Sequence, residues 1–302
     1  MKRFCFCILL SVFITSIHAQ NYLDLVKFSY SNTNSNKFLN SAEKTSIEEF
    51  KLQLNFPIVL TEKNTLLTGL NSKKFRLQLD PDITDNFNFY FIGLELGIHQ
   101  VYSEKWAATY FVFPGIASEL YNISKRDYQI GLLALFNYTK RKNLKYKFGL
   151  YGHTELYGPL IVPLLGLYYT STNQLWEFDL NLPIMVEINY KLSDKLTIGT
   201  NFDGLGSTYN FNKSFSISES AYLAKTSNEL FTFLRFQLDK SIFLKVSAGY
   251  SFFRKFNVYD KNDKVNLSIA SIYFGDDRVP LNTKFKDGAI FKLELIYRIH
   301  FD

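Results

Sequence analysis

The chain has 302 residues, with 34 basic against 28 acidic side chains, four histidines and two cysteines. A net charge of only +6, carried by scattered Lys and Arg, excludes a nucleic-acid partner. The 30 Phe and 20 Tyr, with many β-branched residues and little Ala, favour strands throughout, and no window beyond the first twenty residues is long and apolar enough for a membrane-crossing helix.

The chain opens MKRFCFCILLSVFITSIHAQ. A basic start (Lys2, Arg3), an apolar run from Phe4 to Ile17 and the small Ala19 predict a secretory signal peptide over residues 1–19. Cys5 and Cys7 both fall within it, so the exported chain would carry neither disulfides nor a thiolate metal site. Its basic count falls to 32 against 28 acids, and residues 20–302 form one domain of 283 residues.

From there to the C-terminus, period-two segments alternate with clusters of Asn, Ser, Asp, Lys and Gly. Strands are predicted near 22–30, 47–60, 64–79, 86–102, 106–118, 128–139, 144–156, 160–171, 175–192, 196–211, 226–238, 241–257 and 288–301. Over 144–156, Tyr146, Phe148 and Leu150 oppose Lys147, His153 and Glu155. In 175–192 the even positions, from Trp176 to Leu192, are all apolar or aromatic, and the odd ones include Glu177, Asp179, Glu187 and Lys191. Arg235 shares its side with Phe231 and Phe233, and Lys245 lies opposite Leu244 and Val246. In the last run Lys292, Glu294 and Arg298 alternate with Phe291, Leu293, Leu295 and Tyr297.

A soluble sandwich would hide the apolar side, but three features favour the inverse. The segments often reach 12 residues or more, against about 5–6 for globular strands and about 9–11 for a tilted membrane strand. Aromatic residues gather near the ends of the apolar sets, as in the girdles of membrane barrels, and full charges sit in mid-strand on the other side. A one-residue slip would put Glu177, Asp179, Glu187 and Lys191 into lipid, at about 2–4 kcal/mol for a basic residue at the midplane. The fold class is therefore an all-β, transmembrane, antiparallel up-and-down barrel.

Short charged turns at 61–63 (TEK), 103–105 (SEK), 193–195 (SDK) and 239–240 (DK) suit the periplasmic side, with longer extracellular connections at 31–46, 212–225 and 258–287. An even number of strands must separate such turns. The interval 106–192 holds five candidates, so either one is not a wall strand or the run at 175–192 splits at Pro183. Twelve strands follow from the first choice, fourteen from the second, and twelve is the expectation.

The alternate spacing of Tyr297, Ile299 and Phe301 resembles the C-terminal assembly signal of outer-membrane proteins, as does Lys286, Gly288, Phe291 and Leu293, although Asp302 follows the terminal Phe. With the PLLGLYY and LNLPIMVEINYKLSDKL segments, the chain resembles the uncharacterised outer-membrane β-barrel proteins of the Bacteroidota. The resemblance implies residence in the outer membrane, contact with its lipids and insertion by the β-barrel assembly machinery. It supplies no catalytic residue.

The expected lumen-lining set is Lys147, His153, Glu155, Glu177, Asp179, Glu187, Lys191, Arg235, Lys245, Lys292, Glu294 and Arg298. Its mixed signs suit an interior plugged by salt-bridged side chains rather than a wide selective channel. The resulting expectation is a non-enzymatic barrel acting as a narrow pore, small-ligand carrier or surface scaffold. A lipid- or peptide-hydrolysing barrel enzyme is the alternative, since His153 and Glu155 would need only a serine, and a soluble periplasmic β-protein is a third. No nucleophile elbow or HExxH motif supports catalysis. Asp260, Asn262, Asp263, Asp276 and Asp277 lack the Gly and distal Glu of a calcium loop, so no metal or other cofactor is expected.

Overall fold

Every long strand hydrogen-bonds to two antiparallel neighbours, and the last returns to the first. The computed structural model describes residues 22–204, 206–215, 218 and 220–300. The signal peptide expected at 1–19, and Phe301 of the assembly signal, lie outside the described residues. In chain order the strands are β1 (Tyr22–Lys37), β2 (Lys44–Thr61), β3 (Asn64–Leu77), β4 (Phe87–Val101), β5 (Trp106–Ser118), β6 (Tyr128–Arg141), β7 (Leu144–Glu155), β8 (Gly158–Thr170) and β9 (Trp176–Leu182). They continue with β10 (Met185–Ser193), β11 (Leu196–Asp203), β12 (Ser207–Asn210), β13 (Ala221–Asp239), β14 (Ile242–Asp260), β15 (Leu267–Ile269), β16 (Ile272–Phe274) and β17 (Gly288–His300). Leaving aside the short β12, β15 and β16, these close a 14-stranded antiparallel barrel through the ladder of β1 with β17.

The count corrects the expected twelve to fourteen, and the reason lies in one turn. The run 175–192 is a hairpin: Met185 faces Asn181, Glu187 faces Asp179 and Asn189 faces Glu177. Odd residues thus pair with odd ones, so the alternation continues through the turn as if the strand were unbroken. Pro183 sits in that turn, where a missing N–H costs no ladder bond, and the Ile184 N–H donates to the Asn181 carbonyl at 2.9 Å. The interval 106–192 accordingly holds six strands.

Other prolines use comparable gaps. Pro57 pairs with Leu67 of β3, but the β1 ladder ends at Leu54, so no donor is needed on the far side. The β4–β5 ladder skips the step opposite Pro114.

The turns at 62–63, 102–105, 142–143, 171–175, 194–195 and 240–241 lie at the end holding both described termini, and the longer connections lie at the other. The long strands β13 and β14, 19 residues each, reach well beyond what a bilayer requires, which shortens the connections read from sequence at 212–225 and 258–287.

Outside, the middle of the wall is aliphatic and open: Leu132 is 55% exposed, Leu150 51% and Leu165 68%. Aromatic pairs edge this band at the short-turn end, with Trp106 on Tyr138 at 4.9 Å and Trp176 on Tyr190 at 4.7 Å between ring centroids. Inside, the largest buried apolar cluster sits at the long-loop end. There β12 and its flanks enter the mouth, and Tyr209, Phe211 and Phe215 pack on Phe75, Phe89 and Phe256.

Candidate functional site

Within the barrel, ionised side chains meet in the interior, several of them from strands that are not ladder neighbours. Glu187 on β10 is a hub. Its Oε2 accepts from Lys245 Nζ on β14 at 3.1 Å and its Oε1 from Arg235 Nη1 on β13 at 3.4 Å. Lys245 also lies 3.7 Å from Glu294. Glu177 on β9 accepts from Tyr22 on β1 at 2.7 Å, from Tyr168 at 2.9 Å and from Asn189 at 2.9 Å. Arg298 grips Asp24 with two bonds, 2.6 and 3.2 Å, and its guanidinium lies 3.5 Å from the Tyr22 ring centre. Lys147 pairs with Asp179, Lys292 with Asp203 and Lys225 with Glu49.

Charges removed this far from water persist only when paired and hydrogen-bonded, and here the aromatic walls add to the pairing. Lys245 Nζ sits 3.8 Å from the Phe233 ring centre and Lys292 Nζ 4.3 Å from that of Phe231, within cation–π range. Phe233 can lie flat along the wall because Gly199 faces it; a Cβ there would come within 2.4 Å of the ring. Glu187→Gln removes the charge that both Lys245 and Arg235 use. It is expected to lower stability by about 1.5–3 kcal/mol, read as a lower urea midpoint for unfolding from lipid vesicles.

A second sector of the interior, on β5 to β8, is apolar. Leu160, Val162 and Leu164 are buried there beside Leu133, Leu135, Tyr151 and Ile184, and inward-facing Phe111 and Phe113 stack at 5.2 Å. His99 Nδ1 bonds Thr109 Oγ1 at 2.8 Å.

His153 and Glu155 stand above this sector. Their Nδ1 and Oε1 atoms are 2.8 Å apart but not aligned as a hydrogen bond. Glu155 Oε2 accepts from the Thr208 N–H at 2.9 Å and its hydroxyl at 2.5 Å. Thr208 in turn accepts from Gln129 and from the Leu156 N–H. The carboxylate therefore pins β12 inside the mouth. Thr208→Val, isosteric but unable to donate, is expected to destabilise by about 1–3 kcal/mol and to speed amide exchange in 206–215 more than in β13.

Eleven of the twelve residues read from sequence as lumen-lining are turned into this interior. The exception is Lys191, which is half-exposed at the short-turn rim and bonds Asp194 at 2.8 Å, holding that carboxyl below its usual range. Tyr297 faces outward on β17 and is 44% exposed. His300 lies at the same rim beside Tyr22 and Phe243.

The acidic loop residues are dispersed. Asp260 accepts from the Asn262 N–H and from Ser218, which hold its carboxyl below the ordinary value, and Asp276 clasps Arg278. Among the described residues, no group of three or more His, Cys, Asp or Glu side chains is placed to hold a metal.

Sequence reading missed Tyr22, Asp24, Glu49, Asp203 and Lys225. Alternation in β1 and β2 could have placed Asp24 and Glu49. It also missed the inward fold of 206–215, for which the closely spaced Tyr209, Phe211 and Phe215 were the available signal.

In shape the chain is similar to several solved outer-membrane proteins. One is an outer membrane channel from Pseudomonas putida F1, at 8% identity over 94% of this chain and 97% of that one, with a TM-score of 0.48. Another is the NanC porin, at 7% identity over 91% of this chain and 100% of that one, TM-score 0.37. A third is LpxR from Salmonella typhimurium, at 6% identity over 90% and 99%, TM-score 0.33. No curated protein matches the chain in sequence. The family model described as a domain of unknown function, DUF6268, matches residues 15–273, from ahead of β1 to the β15–β16 hairpin, and the chain belongs to that family.

Proposed function

We propose that this chain is an integral outer-membrane β-barrel, exported by its N-terminal leader and inserted by the barrel assembly machinery. It works without catalysis, as a narrow pore or small-ligand carrier. The observation that carries this reading is the division of the wall. Residues such as Leu132, Leu150 and Leu165 stand open on the outside, whereas Glu187, Arg235 and Lys245 are joined inside. In water the outer band would be a large uncovered apolar surface, of a kind soluble monomers rarely present. In a bilayer it is solvated by acyl chains, and the ladder that closes β1 on β17 pairs the backbone of the long strands around the wall.

The interior supports a narrow conduit over a wide one. Barrels of 16 to 18 strands leave an aqueous channel whereas about eight are filled by side chains. Fourteen strands enclose space that this chain fills from both sides, with the ion-pair network across the middle and the aromatic plug in the mouth. For hydrolysis His153 and Glu155 would have to act as a pair, and their Nδ1 and Oε1 atoms, though 2.8 Å apart, are not aligned as a hydrogen bond, while the other carboxylate oxygen holds Thr208.

Two measurements test the reading. Folded protein is expected to run with altered mobility on a gel until boiled, and to give small, discrete conductance steps in planar bilayers. Recovery as a soluble protein without detergent would overturn the membrane placement. Lipid hydrolysis abolished by His153→Ala would overturn the non-catalytic one.

A further inference from the structure

The wall is not of even height. A tilted strand needs about 9–11 residues to cross a bilayer, yet β9 has 7 and turns back at Pro183. Above that turn β8 has lost its β9 partner, because the ladder of β8 with β9 ends at Leu165 opposite Leu182. On the other side β11 stops at Asp203 and the chain swings inward as β12. The barrel therefore has a notch, and its floor lies within the height of the apolar band.

A small hairpin from the connection between β14 and β17 fills the notch. Its β15 strand lies parallel to β8 through Ser268 with Leu160 and Ile269 with Ile161, and the Ala270 N–H donates to the Ile161 carbonyl at 2.9 Å. Its β16 strand pairs only with β15 among the described residues, so the seam toward β13 has no backbone ladder. On the outer face of this panel Ile272 is 63% exposed and Phe274 48%, the chemistry of a surface that meets lipid rather than of an extracellular loop. Behind it, between Ala270, Tyr273, Ile184 and Val162, lies a cavity of about 50 Å³. Val162 and Ile184 belong to the apolar sector of the interior.

We infer that the notch is a lateral portal, through which small uncharged apolar molecules pass between the bilayer and the apolar sector on β5 to β8, with the β15–β16 hairpin as its movable panel. This rests on the membrane placement proposed above. A polar solute has no reason to take this route, since its way in and out of the portal is hydrocarbon. An apolar solute entering from above would have to displace the aromatic plug and cross the charged network, whereas the panel has a backbone ladder on one edge only, its other edge resting on side-chain packing of Tyr273 and Arg278 against Tyr222 and Tyr259.

The test uses the protein in phosphatidylethanolamine and phosphatidylglycerol vesicles with an aryl diazirine that partitions into acyl chains. After illumination, labelled residues are mapped by mass spectrometry. The variant Ile161→Cys with Ile269→Cys joins the panel to β8, since ladder neighbours lie within disulfide reach. Reduced, it is expected to carry label at inward-facing Leu133, Leu135 and Leu160 as well as at outward-facing Leu165. Oxidised, it is expected to lose most of the inward label and keep the outward. Should the disulfide not form, Ala270→Trp, which fills the cavity, is expected to give the same loss. Inward label that is absent in the reduced protein, or unchanged on closing the panel, overturns the portal. Absence of label at Leu165 instead overturns the membrane placement itself.

Discussion

Leu165→Arg is expected to cost about 2–4 kcal/mol of stability in a bilayer, whereas Glu62→Arg, in the turn between β2 and β3, is expected to leave stability unchanged. Leu165 is 68% exposed on the outer face of β8, packed beside Phe148 of β7 and Leu182 of β9 in the ladder. A guanidinium there has no acidic neighbour on its face and must reach a distant headgroup to be solvated. In a water-soluble barrel the same change would be an ordinary surface substitution, worth a few tenths of a kcal/mol. Urea titrations of protein folded into vesicles separate the two cases, because their midpoints would move by very different amounts.

Phe89→Ala is expected to have the largest effect inside. Phe89 has no solvent exposure. It stacks on Phe75 at 5.2 Å and meets Phe211 edge-on at 5.0 Å and Tyr209 at 5.8 Å. Truncating a buried Phe costs about 3–5 kcal/mol through lost transfer energy and the cavity left behind. Here the loss falls on the seat of the segment 206–215, which closes the mouth. The variant is therefore expected to conduct more than the wild type in planar bilayers as well as to unfold earlier. Equal conductance would mean that the aromatic cluster does not limit passage. The Thr208→Val change attacks the same segment from its polar side, so the two effects are expected to be less than additive, as they share one element.

Much of the wall was legible because its solvent contrast imposes a period of two that local sequence cannot hide. Lys147, Glu155, Arg235 and Lys292 could be assigned a side from their immediate neighbours alone. The turn at Pro183 stayed the second of two alternatives because the hairpin pairs odd residues with odd ones, leaving the alternation intact; only the proline itself signalled it. Partners inside the barrel were another matter. Parity says that Glu187 and Lys245 point inward, but their meeting depends on strand tilt and stagger, which closure of the whole sheet sets. The same holds for Glu177 and Tyr22, which are 155 residues apart in the sequence. Lys191 shows the limit from the other direction: its parity is right for the interior, but its height puts it at the rim, beside Asp194. The plug was harder to read: Tyr209, Phe211 and Phe215 mark a buried segment, but their partners Phe75 and Phe89 come from distant strands that local sequence does not name.

All of these effects follow from the greasy side of each ribbon facing hydrocarbon and the ionised side facing inward, and neighbouring residues of β9 test that most directly. Single cysteines at Leu180 and at Asp179, with Cys5 and Cys7 replaced, can each carry a nitroxide in vesicles. Leu180 is expected to show high collision rates with dissolved oxygen and low ones with an aqueous nickel chelate, and Asp179 no preference for oxygen. If Leu180 met nickel freely while Asp179 reported oxygen-rich surroundings, the wall would be facing the other way.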